Sequence, residues 1–264
     1  MEPKQSNLTH HDVATNKRQN FKIISMVVIC IIVLSTLSIY ILYKNEENAS
    51  ITNVRINPEF PQPGDKIEIH VYTNENMFFH RPRITFNVLS YNIEKPLAGR
   101  SFQMTKSGER TYVTTIGTFD EDVQIWYMIT LPTSTNLHYN ESTIDVGNIQ
   151  YSDDVLISDV DYSPKHLHNC SSIQISANFT HEGVISQPTQ MISLYHVFYP
   201  NGYSSSGSGT LMGDFNSSTG ITEYSFIISS YQDYFPPNAI VFYRLFFLGD
   251  DYRYLTPSYQ ISIL

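Results

Sequence analysis

Cysteine is almost missing from this 264-residue chain. There are two, Cys30 and Cys170, and only one tryptophan. Cys30 lies inside a long apolar run and Cys170 in the polar remainder, so they do not meet. No intrachain disulfide staples the chain, and each folded part must hold together through its own core. Charge is scarce too, at 16% of residues. Phosphate-cradling glycine loops, a dinucleotide fingerprint, an H-E-x-x-H pair and a G-x-S-x-G elbow are all absent. Each is the short signature of a chemistry, and no acid–base pair stands at a readable spacing. The expectation is therefore a protein without cofactors and without catalysis.

What the chain does have is aromatic and strand-forming. It holds 19 Tyr and 15 Phe, and residues of this kind suit a pleated, half-buried surface. One segment departs from that pattern. Ile23 to Tyr43, "IISMVVICIIVLSTLSIYILY", carries no charge. About 20 apolar residues at 1.5 Å each cross a hydrocarbon core. A cleaved signal peptide has a shorter apolar region and a small-residue cleavage site after it, so this run reads as an uncleaved anchor. The preceding 22 residues hold Lys4, Lys17, Arg18 and Lys22 against Glu2 and Asp12. The positive flank predicts a cytoplasmic N-terminus, with everything after the helix outside, at the plasma membrane. That tail holds only four of the 16 basic residues and two of the 25 acidic ones, so the outer part is strongly acidic. It repels nucleic acid, which is not an expected partner.

Beyond the helix the chain repeats itself. "ITNVRINPEFPQPGDKIEI" (Ile51–Ile69) has a gapless echo 106 residues later in "ISDVDYSPKHLHNCSSIQI" (Ile157–Ile175). Alternating stretches follow in the same order in both halves. "KIEIHVYT", "RITFNVLSY", "RTYVTTIG", "DVQIWYMIT" and "STIDVGNIQY" are answered by "SIQISANF", "MISLYHVFY", "ITEYSFII", "AIVFYRLFF" and "PSYQISI". Turn chemistry separates them. Short strands at this spacing predict an antiparallel sandwich, written twice. "YSSSGSGT" (Tyr203–Thr210) reads as a flexible loop on composition.

The recurring pattern is I-x-x-V-x-x-x-P, then I-x-I, later a Y-x-x-x-I strand and a V-x-Y-x-I strand. The first copy carries it at Ile51, Val54, Pro58, Ile67, Ile69, Tyr112, Ile116, Ile125 and Tyr127. The second carries it at Ile157, Val160, Pro164, Ile173, Ile175, Tyr224, Ile228, Val241 and Tyr243. This resembles the immunoglobulin-like or fibronectin type III-like domains of microbial cell-surface proteins. The Cys…Trp…Cys core of antibody domains is missing. The resemblance implies an all-β fold, two tandem Ig-like sandwiches after one membrane helix. The organisation is a disordered tail (1–22), helix (23–43), polar stalk (44–50) and sandwiches at 51–152 and 153–264.

Several residues are candidates for chemistry. Asp153, Asp154, Asp159 and Asp161 lie at the junction of the two units and are candidate Ca²⁺ ligands, although D-x-D-x-D-G spacing is lacking. Solvated turns are the alternative. Asp120, Glu121, Asp122, Asp250 and Asp251 form similar acidic groups. His166, His168 and Cys170 stand two apart, as Zn²⁺ or copper ligands do, but a fourth ligand is lacking and a surface loop accounts for them. Asn48, Asn140, Asn169, Asn178 and Asn216 are N-glycosylation triplets on the outer side. Tyr127 and Tyr243 each follow an aromatic residue, Trp126 or Phe242, so one of each pair faces the core and one faces out. The tyrosines are expected inside, with the hydroxyl bonded to nearby backbone. The expected role is a surface-displayed pair that recognises protein, glycan or an envelope layer. The second reading is an accessory subunit of a larger membrane complex.

Overall fold

Nothing in residues 10–22 stops a helix: neither glycine nor proline occurs there. The computed structural model of the chain accordingly begins with one long helix, α1, at His10–Glu47. It describes residues 10–90, 97–132, 137–149, 156–165, 167, 170–180, 190–200, 204–210, 212–216, 221–230, 232–249 and 253–264. The apolar stretch of α1 is bare, with none of its most apolar window buried against the rest of the molecule. Its hydroxyls are satisfied from within. Ser35, Thr36 and Ser38 donate to the carbonyls of Ile31, Val33 and Leu34 at 2.7, 2.9 and 2.8 Å. The expected tail and stalk are both shorter than their compositions imply. Residues 10–22 continue the helix, and residues 44–47 complete it.

The first repeat supplies β1 (Ile51–Asn57), β2 (Lys66–Thr73), β3 (Arg83–Ser90), β4 (Leu97–Gln103), β5 (Thr105–Gly108), β6 (Thr111–Thr118), β7 (Val123–Pro132) and β8 (Leu137–Val146). They form two antiparallel sheets, in the orders β1-β2-β6-β5 and β4-β3-β7-β8. In the lettering of immunoglobulin folds these are A-B-E-D and C′-C-F-G. Strict alternation drives the packing. On β2, Ile67, Ile69 and Val71 are fully buried and the residues between them are not. They meet Ile84, Phe86 and Val88 of β3 and Ile125, Tyr127 and Ile129 of β7 in one core. Burying one such aliphatic side chain stabilises by roughly 1.5–3 kcal/mol.

The second half of the region beyond the helix forms two sheets of closely similar strand order. Its strands are β9 (Leu156–Ser163), β10 (Ser172–Thr180), β11 (Gln190–Phe198), β12 (Ser204–Thr210), β13 (Met212–Asn216), β14 (Ile221–Ser229), β15 (Ile240–Leu248), β16 (Arg253–Leu255) and β17 (Tyr259–Ser262). The orders are β13-β14-β10-β9 and β12-β11-β15-β16, with β17 also on β15. Ile173, Ile175, Phe179, Tyr224, Val241, Tyr243 and Phe247 share the second core.

Edge strands are where composition misled. The glycine- and serine-rich stretch is not a flexible loop but strand β12, in full register with β11. Gly207 sits opposite Tyr195, and a Cβ there would lie 2.4 Å from the tyrosine oxygen. The ring covers the glycine and replaces the missing side chain. Likewise Tyr224 covers Gly213 on β13. Small residues also let β12 approach the first sandwich, where Ser204 Oγ lies 3.1 Å from Thr85 Oγ1 and 3.0 Å from Ser101 Oγ.

Candidate functional site

The two sandwiches are not beads on a string. Their C′-C-F-G sheets face one another across a third apolar cluster. Leu89, Trp126 and Met128 come from the first repeat, and Ile192, Leu194, Phe198, Phe242 and Phe246 from the second. Register explains who meets whom. Asn87 pairs across strands with Trp126, and His196 with Phe242. These are equivalent positions of the two copies, so the seam joins the same face of each, as a two-fold dimer interface does. The outward aromatic of each copy is thereby covered by the other copy.

Trp126 sits at the centre of the seam, fully buried, with its ring centroid 4.1 Å from that of His196. Its Nε1–H donates to Glu141 Oε1 at 2.7 Å. The Arg244 guanidinium lies 5.6 Å from the Trp126 ring centroid, and Arg244 Nε is 3.4 Å from the same Glu141 oxygen. At the rim, Tyr139 meets Phe242 edge-on and its hydroxyl donates to Gln260 Oε1 at 3.2 Å. In the seam, Asn87 and His196 are buried with no hydrogen-bond partner for their side-chain atoms among the described residues. Burial first, and Arg244 second, hold the His196 pKa down at about 3. The ring is therefore neutral at physiological pH. The sequence signal for this seam was the nearly continuous apolar runs of β7 and β15, broken only by Gln124, Thr130 and Arg244. A strand covered on both faces loses its alternation.

Tyr127 and Tyr243 do face their cores, as expected. The hydroxyl of Tyr127 meets the Ser142 side chain rather than backbone. The backbone-bound tyrosine is Tyr112, which accepts from Met77 N at 2.7 Å and donates to Met77 O at 3.2 Å. Burial pushes the hydroxyl pKa of all three tyrosines upward.

With the C′-C-F-G faces covered by the seam, an open concavity lies elsewhere among the described residues. A groove of about 430 Å³ runs between the edge strands β1 and β8 of the first sandwich. Ile51, Val54, Ile56, Tyr127, Asn140 and Glu141 line it. Its exposed lining is mostly polar, so what suits it to an added strand is backbone pairing along the two outer sheet edges rather than an apolar floor.

The other candidates are scattered. Asp159 accepts from Asn178 Nδ2 at 3.1 Å and Ser158 Oγ at 3.2 Å. Asp161 is ion-paired to Lys165 and accepts from Tyr162 N at 2.8 Å, and these contacts hold its carboxyl below the usual range, Lys165 first. Asp153 and Asp154 lie outside the described residues, as do Asp250 and Asp251, His166 and His168. Among the described residues no group of three or more His, Cys, Asp or Glu is placed to hold a metal ion. Cys170 is half-buried, its Sγ donating to Leu167 O at 3.3 Å, and burial raises its thiol pKa. Of the glycosylation triplets, Asn48 is exposed at the end of α1, Asn140 lines the groove and Asn178 is half-exposed on β10. Asn216 ends β13, and Asn169 lies outside the described residues.

The site that sequence reasoning missed is the junction of α1 with the first sandwich. Glu46, only 1% exposed, accepts from the backbone N–H of Phe78, of Phe79 at 2.7 Å and of His80 at 3.1 Å. His80 Nδ1 lies 3.0 Å from its second oxygen. Ala49 is buried in the first core, and Ser50 N donates to Asn74 Oδ1 at 2.7 Å. No local signal announces this clamp, because its partners lie over 30 residues apart.

No family model and no curated protein matches the sequence. Solved structures do match. A two-domain fibronectin type III segment of chicken tenascin aligns with 80% of this chain and 98% of its own, at 7% identity and a TM-score of 0.23. Red sea bream transglutaminase aligns over 79% of this chain and 30% of its own, at 10% identity and 0.25. An α-L-rhamnosidase from Aspergillus terreus gives 81%, 29%, 10% and 0.26. The chain thus spans less than a third of either enzyme. Identities this low bear on fold alone, and the fold stands on its own strand order. The chain is an all-β, sandwich-forming protein carrying one N-terminal apolar helix.

Proposed function

We propose that the chain is a non-enzymatic, single-pass membrane protein that displays a paired Ig-like unit on the cell surface for recognition of a protein, glycan or envelope partner. The N-terminus is cytoplasmic and the sandwiches are extracellular. The observation that carries this reading is the Glu46 clamp. A signal peptide is discarded after export, whereas here the last turn of the apolar helix supplies a buried carboxylate to the first sandwich. The helix is part of the mature fold, and its bare apolar surface calls for lipid. Recognition is assigned to the β1/β8 groove and the loops, since the seam covers the C′-C-F-G faces. The outer Asn-x-Ser/Thr triplets are candidate glycan sites, and sugar on Asn140 would narrow the groove.

An accessory subunit of a membrane complex is the competing role. It wants polar groups on the helix reaching for neighbouring helices, and the hydroxyls of Ser35, Thr36 and Ser38 are turned to their own backbone. The test is proteolysis of sealed vesicles with mass spectrometry of the fragments. Loss of residues beyond 47 with the tail intact supports the reading. Protection of the sandwiches until the membrane is opened overturns it. For recognition, detergent-solubilised full chain is used as bait on source-cell extract. Capture that a Val54→Arg change in the groove abolishes is the expected result, and nothing above background counts against it.

A further inference from the structure

The segment joining β2 to β3 reads "NENMFFHRP" (Asn74–Pro82). Met77 is buried beneath it, whereas Phe78 and Phe79 are 51% and 49% exposed. Two adjacent half-exposed phenylalanines are unusual for a loop in water. Their position is set by the Glu46 clamp, which ties the backbone of residues 78–80 to the last turn of α1. From there the side chains reach back along the helix. The ring of Phe79 lies 6.4 Å from that of Tyr43, and the His80 ring 6.0 Å from it.

Tyr43 is the last residue of the uncharged run. A helix rises about 1.5 Å per residue, so Glu46 lies only about 4.5 Å beyond Tyr43 along the axis. The run from Ile23 to Tyr43 is about 32 Å long, close to the roughly 30 Å hydrocarbon core, and the polar interfacial layer adds roughly 5–7 Å on each side. The loop is therefore held inside that layer. Its surroundings suit it: Lys106 Nζ lies 5.0 Å from the Phe78 ring centroid and donates to Asn76 Oδ1, and Arg81 is exposed. Aromatic rings flanked by cationic side chains are what the boundary between headgroups and acyl chains accommodates.

We propose that the β2–β3 loop is a second membrane contact: Phe78 and Phe79 enter the interfacial layer of the leaflet on the sandwich side, with Lys106 and Arg81 against lipid phosphates. This rests on the reading of α1 as a retained anchor. Its consequence is orientation. The helix alone leaves the clamped first sandwich free to tilt with it, whereas helix and loop together fix its orientation against the bilayer.

The test places a tryptophan at the loop tip. Full-length Phe79→Trp protein is inserted into vesicles containing anionic phospholipid, and the unsubstituted chain supplies the Trp126 background for a difference spectrum. Lipids brominated near the headgroup end of the acyl chain are expected to quench the new emission about two-fold or more, while deeply brominated lipids do so less. Trp126, buried in the seam, keeps its emission. Emission at residue 79 that shallow bromines leave unchanged, in a chain of full mass that stays with the vesicles, overturns the loop proposal and leaves the anchor standing. Shielding of residue 79 that appears only in native membranes, without quenching by bromolipid, identifies a protein occupant and overturns it as well. A chain recovered without residues 1–43 and free of the vesicles overturns both.

Discussion

Acidification from pH 7 to 5 is expected to weaken the seam between the sandwiches. His196 is fully buried against Trp126, and burial together with Arg244 lowers its pKa to about 3. Glu141 on β8 faces the same pocket but is engaged by Trp126 Nε1 and Arg244. Asn87 on β3, the equivalent position in the other copy, is uncharged. In the opened chain the imidazole returns to about 6.5. A folded-state pKa below the unfolded one means that the opened state binds the proton. The seam's stability is then complete above about pH 6.5 and drains away as the pH falls towards 3. Each pH unit in that window removes about 1.4 kcal/mol, so pH 5 removes about 2 kcal/mol. Native stabilities are of order 5–15 kcal/mol, so this is a large share for one interface. The assay is built in, because the chain's single tryptophan lies in the seam. Its emission, followed through urea titrations at pH 7, 6 and 5, should shift its midpoint downward. In His196→Phe the pH dependence should flatten over the same range. Exposed carboxylates such as Asp161, whose pKa is lowered, lose their contribution only below about pH 4 and stay out of the window. An equal pH slope in wild type and His196→Phe, or no slope in either, would refute the argument.

Three further outcomes follow from packing. Trp126→Ala should destabilise by about 3–5 kcal/mol, the range for deleting a large buried aromatic, and limited proteolysis should then cut between two intact sandwiches. Glu46→Ala should destabilise the first sandwich by about 2 kcal/mol or more, read as a lower thermal midpoint, since it removes a charged acceptor from part-buried backbone donors. Hydrogen exchange at residues 78–80 should rise in the same variant. Gly147→Ala should cost about 1–3 kcal/mol in a urea titration, because φ is +81° there and a Cβ would lie 1.9 Å from Asp122 Oδ1. An unchanged midpoint would show that Asp122 moves aside freely.

Legibility followed burial. Strands with one face in the core and one in water announced themselves: "KIEIHVYT" coincides with β2, and "ITEYSFII" lies within β14. Short or polar edge strands did not, as β5, "TKSG", and β12, "SSSGSGT", show. β5 is held by its ladder to β6, and β12 by its ladder to β11 and by Tyr195 over Gly207, none of which leaves a period in their own residues. Among site residues, the two core tyrosines were readable from alternation. The Glu46 clamp was not, because a polar segment after an apolar helix looks like a stalk until its long-range partners are known.

The sequence by itself determined the all-β character, the apolar helix and which residues alternate on each strand. Those are local properties, set by backbone period and side-chain polarity. It also placed Trp126 and Phe242 on the outward faces. Only the tertiary structure decided that those faces meet each other rather than solvent or a partner. A period of two says that a residue points away from one core, and nothing about what lies on the other side. The same holds at the helix end. One carboxylate and three backbone N–H groups are distant in the chain and come together only when the sandwich has formed beside the last turn of α1.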